Sequence, residues 1–161
     1  MKYLPYENYT VTSMLPADEI LHRLKSNVES KQLIRIPFLN SKTTKLYEGK
    51  VLHNEFIISR ILGYRNSSKP IIIGQIIQGV ENTTICIKAR MIYFAYIFMF
   101  AWLGGVTFAG LVIIKQQIEA KEFEPSIFLV PVMFLFGYGL MIAGFKYETN
   151  KFKKFLVELV K

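Results

Sequence analysis

The sequence predicts a membrane α+β protein: an N-terminal cytoplasmic antiparallel β domain with one helix, then a two-helix transmembrane hairpin and a short C-terminal amphipathic helix. Three observations carry this. Met91 to Ile114 is a run of 24 residues without a charged side chain, and Pro125 to Phe145 is another of 21. At ~1.5 Å per helical residue these runs reach roughly 36 and 32 Å, so each is long enough to cross a ~30 Å hydrocarbon core. The other 116 residues hold all 32 charges, an ordinary density for a water-soluble domain. Before Met91 the pattern is that of short β runs separated by turn residues. A wholly soluble protein and a many-span transporter are both excluded. The expected divisions are residues 1–90, 91–145 (spans 91–114 and 125–145) and 146–161.

Tyr6 to Thr12 alternates and is rich in Tyr and Thr, which suits a strand. A helix start follows at Ser13-Met-Leu-Pro16-Ala-Asp18-Glu19: Ser13 can cap, Pro16 suits the first turn, and the acids face the positive end of the helix dipole. Ile20, Leu21, Leu24 and Val28 give this helix one apolar face. Strands are then expected at Leu33–Phe38, Lys45–Leu52, Glu55–Leu62, Ile71–Gln78 and Thr83–Arg90. His53-Asn54 suits a tight hairpin, Gly63 to Pro70 a longer polar turn, and Gly79 to Asn82 another. The last strand alternates most clearly, with Thr83, Ile85, Ile87 and Ala89 on one face and Thr84, Cys86, Lys88 and Arg90 on the other. A meander of about four strands, with the N-terminal strand and one helix added, is the expected core. Its final strand runs almost directly into the first span, so a shift in the sheet is delivered to the membrane helix.

Orientation follows from the basic flanks, which favour the cytoplasmic side. Lys88, Arg90, Lys146, Lys151, Lys153, Lys154 and Lys161 flank the outer ends of the pair of spans, against Lys115 and Lys121 in the loop between them. Both termini are therefore expected in the cytoplasm, at a bacterial inner membrane. The N-terminus has no apolar stretch of signal-peptide type. The spans hold no Asp, Glu, His, Lys or Arg, which removes a proton relay or ion-coupled transport site. Small residues recur at helical spacing: Ala101, Gly105 and Ala109 in the first span, Gly139 with Ala143 and Gly137 with Gly144 in the second. Such seams either pack one span on the other or join copies of the chain. Thr107 is one of the few polar groups compatible with a pore. Pro131 falls in the first turn of the second span, where a missing N–H costs little. Beyond it, Phe152, Phe155, Leu156 and Leu159 form one stripe among lysines, an amphipathic helix that either lies on the inner leaflet, which the lysines favour, or packs beneath the β domain.

Catalytic chemistry is not expected. Ser67 and Ser68 lack a neighbouring His, no carboxylate pair or phosphate loop occurs, and the single Cys86 has no disulfide partner. His22 and His53 make no closed metal site, so no metal and no cofactor are expected. The first 90 residues carry 13 Lys and Arg against 7 Asp and Glu, which favours an anionic partner. The densest polar group is Arg60, Tyr64, Arg65, Asn66, Ser67 and Lys69, where guanidinium forks, an amide and an aromatic ring can hold a phosphate or stack a base. The alternative is a solvated turn whose charge serves only topology. Lys42, Lys45 and Lys50 form a looser basic segment with the same two readings.

Phe56-Ile-Ile-Ser-Arg60, Tyr64-Arg-Asn-Ser67, Pro70, Gly74 and the Thr83-Thr84 strand, followed by a tryptophan-bearing span, resemble a pattern in small bacterial membrane proteins. In architecture, a basic domain fused to a charge-free hairpin is similar to membrane effectors of antiphage defence, such as Hailong-effector-like channels controlled by nucleotides or nucleic acids. The glycine and alanine seams predict a homo-oligomer in contact with membrane lipid, and the basic cluster around Arg60, Tyr64, Arg65 and Lys69 a nucleotide or single-stranded nucleic acid ligand; with the likeness, these imply an effector that conducts ions or permeabilises the membrane. The competing expectation is a membrane-anchored adaptor without conductance, whose basic domain meets anionic lipids.

Overall fold

The computed structural model describes residues 4–30, 45–61, 69–121 and 124–161. In chain order the elements are β1 (Tyr6–Ser13), α1 (Ala17–Asn27), β2 (Val28–Ser30), β3 (Tyr47–Val51), β4 (Glu55–Arg60), β5 (Pro70–Gln78), β6 (Thr83–Met91), α2 (Tyr93–Ala120), a short 3-10 turn (Pro125–Phe128) and α3 (Leu129–Leu159). The strands form one six-stranded sheet in the order β1-β6-β5-β4-β3-β2. Every neighbouring pair is antiparallel except β2 with β3.

Side chains alternate between the two faces of a strand, so the register sorts the residues into an inner and an outer face. Ile58, Ile72, Ala89 and Glu7 share one cross-sheet row, and Gly74, Ile87 and Tyr9 share the next. The inner face is covered by α1 and by the C-terminal half of α3. Ile20 and Leu24 from α1 and Phe145, Phe152 and Leu156 from α3 are fully buried there. Close packing also explains one glycine: a Cβ on Gly74 would stand 2.0 Å from the ring of Phe56, its partner across the ladder. The outer face leaves Ile57, Ile77 and Lys88 exposed.

Several expectations change. Val28 does not extend the α1 face; the helix stops at Asn27, and Val28 opens β2, pairing with Tyr47 and remaining buried. The short β2 makes a sixth strand that the sequence pattern did not announce. Ser13 does not cap α1, whose N-cap is Pro16 without a side-chain cap bond. Instead its hydroxyl accepts a hydrogen bond from the Leu15 N–H (3.1 Å) and donates to the Val160 carbonyl (2.9 Å), tying β1 to the end of α3. The expected strand at Leu33–Phe38 lies outside the described residues.

The C-terminal residues do not form a separate helix. They continue α3 without interruption from the apolar run to Leu159, and their apolar stripe packs beneath the sheet. Tyr47 meets Phe152 edge-on at 5.6 Å and Phe155 at 4.6 Å between ring centroids. Burying a large apolar side chain stabilises by roughly 1.5–3 kcal/mol, whereas a lysine near an anionic surface contributes about 1 kcal/mol. With Phe145, Phe152 and Leu156 all buried, packing outweighs the lysines. Pro131 lies in the first turn of α3, as expected.

Among the described residues, α2 and α3 are the two helices long and apolar enough to cross a membrane. Within the two apolar runs, most large side chains are exposed, Phe94, Phe98, Phe108 and Phe136 among them. A helix apolar all round needs a cover, either protein or lipid.

Candidate functional site

One end of the sheet gathers the polar chemistry, and it is the end from which the hairpin leaves. Tyr6 pairs with Arg90, Pro70 with Met91 and Tyr47 with Arg60, so β1, β3 and β5 begin where β4 and β6 finish. Only Ile92 separates β6 from α2. A single extended residue leaves the chain little freedom to swivel, and side chains brace the joint. The Tyr96 hydroxyl donates to the Pro5 carbonyl at 3.0 Å, and Arg90 Nη1 donates to the Tyr93 hydroxyl at 2.6 Å with its guanidinium 4.8 Å from the ring centre.

α3 enters the same end through ion pairs. Glu148, whose side chain is 1% exposed, accepts from Arg60 Nη1 at 3.0 Å. Its other oxygen, Oε1, is buried without a hydrogen-bond partner. Glu7 on β1 meets Lys146 at 3.3 Å and Lys153 on its second oxygen, both from α3. Burial alone would raise the Glu7 carboxyl, but the two ammonium groups outweigh it and hold the group below its ordinary range. Burial pushes the Tyr47 phenol up to about 12, and that of Tyr9 higher still, so both rings stay neutral at any physiological pH. Lys153 also stands 4.8 Å from the ring centre of Tyr9.

Of the ligand-binding residues expected from sequence, Tyr64, Arg65 and Asn66 lie outside the described residues, as does Ser67. Arg60 and Lys69 flank that segment at the hairpin end of the sheet. Each already has a carboxylate: Glu148 for Arg60, and Glu48 for Lys69 at 2.9 Å. Lys45 bonds the carbonyls of Lys25 and Val28, Lys50 is exposed, and Lys42 lies outside the described residues.

The small-residue seams divide into two groups. Gly110 and Gly137 are where the two helices touch: a Cβ would stand 2.7 Å from Val130 and 2.6 Å from Trp102 Nε1, respectively. At Gly105 and Gly139 a Cβ would meet nothing within 4 Å. Ala101, Gly105 and Ala109 line a groove of about 460 Å³ with Leu129, Val130 and Met133, while Ala143 is exposed on α3. Thr107 donates its hydroxyl to the Leu103 carbonyl at 2.7 Å, one turn back on its own helix.

The Arg60–Glu148 and Glu7–Lys146 pairs were not singled out from sequence, yet one had a signal. Glu148 lies three residues after Phe145 and four before Phe152, which places an acid inside an apolar helical stripe. A buried acid at such a position needs a cation. The identity of that cation depends on strand order and was not readable.

No family model and no curated protein matches the chain. Among solved structures, it is similar to CalU16 from Micromonospora echinospora, at 11% identity over 85% of this chain and 88% of that one, with a TM-score of 0.35. Similarity at that level carries no argument about function.

Proposed function

We propose that the chain is an integral inner-membrane protein whose hairpin of α2 and α3 spans the bilayer with both termini in the cytoplasm. In this reading it is a homo-oligomeric effector: the sheet senses an anionic ligand, and the hairpin conducts ions or permeabilises the membrane in response. The observation that carries it is the double joint. A passive anchor needs only a tether, and a flexible one suffices. Here the sheet is fixed to α2 through one residue, and to α3 through an unbroken helix pinned by Arg60–Glu148 and by Glu7 with Lys146 and Lys153. Any tilt of the sheet is therefore imposed on both spans. Copies associate through the faces at Gly105 and Gly139, which the hairpin itself leaves uncovered.

One observation favours the adaptor reading instead. Arg60 and Lys69 are already paired, and β4 ends and β5 begins at the hairpin end of the sheet, where lipid headgroups would lie. Reconstitution separates the two. Purified protein in liposomes is expected to pass ions, with a change on adding nucleotides or oligonucleotides. Liposomes that hold their gradient under every such condition would leave only the adaptor.

A further inference from the structure

On the outer face of the sheet, β6 carries two cations side by side. Lys88 and Arg90 are two residues apart, so both project from this face, about 7 Å apart along the strand. Asn8 and Tyr6 of β1 are their partners across the ladder, and on the β5 side the partners are Ile73 and Ile71, whose side chains offer no acceptor. Arg60, Lys69, Lys146 and Lys153 each meet a carboxylate, whereas Lys88 and Arg90 make no ion pair among the described residues. Two like charges this close repel, and an anion seated between them removes that cost. Arg90 is also only partly engaged. Its Nη1 donates to the Tyr93 hydroxyl at 2.6 Å, which leaves the phenol proton free to be donated in turn. Its Nε is closed in without a hydrogen-bond partner. An oxyanion that draws the guanidinium outward therefore gives Nε an acceptor and replaces a neutral partner by a charged one, which makes the stronger bond.

We infer that this corner of the outer face, formed by Tyr6, Asn8, Lys88, Arg90 and Tyr93, binds a phosphate group of a water-soluble ligand. Ammonium, guanidinium, amide and phenol donors meet there, and a phosphate has an oxygen for each. The inference rests on the membrane-spanning and sensing roles proposed above, and it places the ligand away from Arg60 and Lys69, whose charges are already taken. Water is what this face meets. α3 runs unbroken from the apolar run to beneath the inner face, so with that helix upright in the bilayer the sheet stands along it and the outer face looks sideways into the cytoplasm. The Arg90–Tyr93 bond bridges Ile92, the single residue between sheet and first span. A ligand that takes Arg90 from Tyr93 loosens that brace. It thereby has a different affinity for two arrangements of the joint, which is what moving the span requires.

The full-length protein in nonionic detergent would be titrated with fluorescein-labelled oligothymidylate, with inorganic pyrophosphate as competitor. Lys88→Gln and Arg90→Gln should each weaken binding about tenfold, the loss of one bond to a charged group, and each should lower the salt slope by about one. Lys50→Gln removes an exposed cation from the same face three strands away, and should change neither. Asn8 is exposed opposite Lys88, so it tests the sign without touching the core. Asn8→Asp should weaken binding and Asn8→Lys should tighten it, a pair of effects that unfolding does not produce. In parallel, the same proteins would be offered phosphatidylglycerol and phosphatidylcholine in detergent, and the lipids retained would be counted by native mass spectrometry. Retention of phosphatidylglycerol should be independent of Lys88 and Arg90. Oligonucleotide binding that is equal in the parent, Lys88→Gln and Arg90→Gln overturns the site and leaves the sensing role standing. Phosphatidylglycerol held by the parent and lost from both variants, with oligonucleotide binding unaffected, assigns the corner to a lipid headgroup and overturns the soluble ligand. A parent that binds neither oligonucleotide nor pyrophosphate overturns the site and the sensing role together.

Discussion

Arg60 and Glu148 differ in one respect that decides what their removal costs. The carboxylate is 1% exposed and the guanidinium 25%. Removing one partner of a buried pair costs about 3–5 kcal/mol because the other charge is left without compensation. Arg60→Met strands Glu148 and should approach that figure. Glu148→Gln strands a cation that can still turn to water, and should cost about half as much. Thermal unfolding in detergent reads the order of the two, and a reversed order would mean that the pair is not the main support of that corner. Glu7 makes a pH prediction at the same scale. Its folded carboxyl lies below the 4.5 of an unperturbed group, so its stabilisation is fully present above about pH 4.5 and is lost as pH falls through the folded value. Glu7→Gln should therefore be less stable than the parent at neutral pH, by about 1 kcal/mol for a partly exposed pair, and the two unfolding curves should converge in acid.

Among the elements, the legible parts were those whose pattern is local. The alternation of Thr83 to Arg90 and the charge-free runs led directly to β6, α2 and α3. What escaped depended on a distant partner. β2 is only Val28–Ser30 and exists because Tyr47–Gly49 lies beside it; no periodicity marks a three-residue strand. The end of α3 has in sequence the pattern of an amphipathic helix able to lie on lipid, since its stripe is visible there while the sheet that covers it is not. Of the six residues in the expected anion group, only Arg60 and Lys69 lie among the described residues, and their carboxylates come from α3 and β3. The glycines show the same limit. Helical spacing marked Gly105 and Gly137 alike, yet only Gly137 faces Trp102. This difference yields a test. Gly137→Leu should loosen the hairpin within each chain and lower its melting temperature. Gly105→Leu should leave the monomer intact and weaken self-association, measured by mass in detergent. Equal effects on both readouts would mean that one seam serves both purposes.

For the molecule as a whole, the proposed function turns on which class of anion the basic residues 1–90 would meet. The domain carries +6 from residues 1–90, and association would multiply this, so a polyanion too weakly held by one copy can be held by several. Contacts to phosphate release counterions, so affinity should fall steeply with salt, and each cation removed should lower that slope by about one. Lys69 offers a test with a sign, because Glu48 occupies it. If Lys69 contacts the ligand, Glu48→Gln frees it and should tighten oligonucleotide binding by the full-length protein, while Arg65→Glu should weaken it. Two substitutions acting in opposite directions are hard to attribute to unfolding. Parallel titration with anionic vesicles decides the class of partner. Matching shifts on vesicles, with oligonucleotides unaffected, would assign the basic end to lipid headgroups and the protein to the adaptor class; shifts confined to oligonucleotides would support the sensor, since only a ligand with different affinity for two arrangements of the sheet can move the spans.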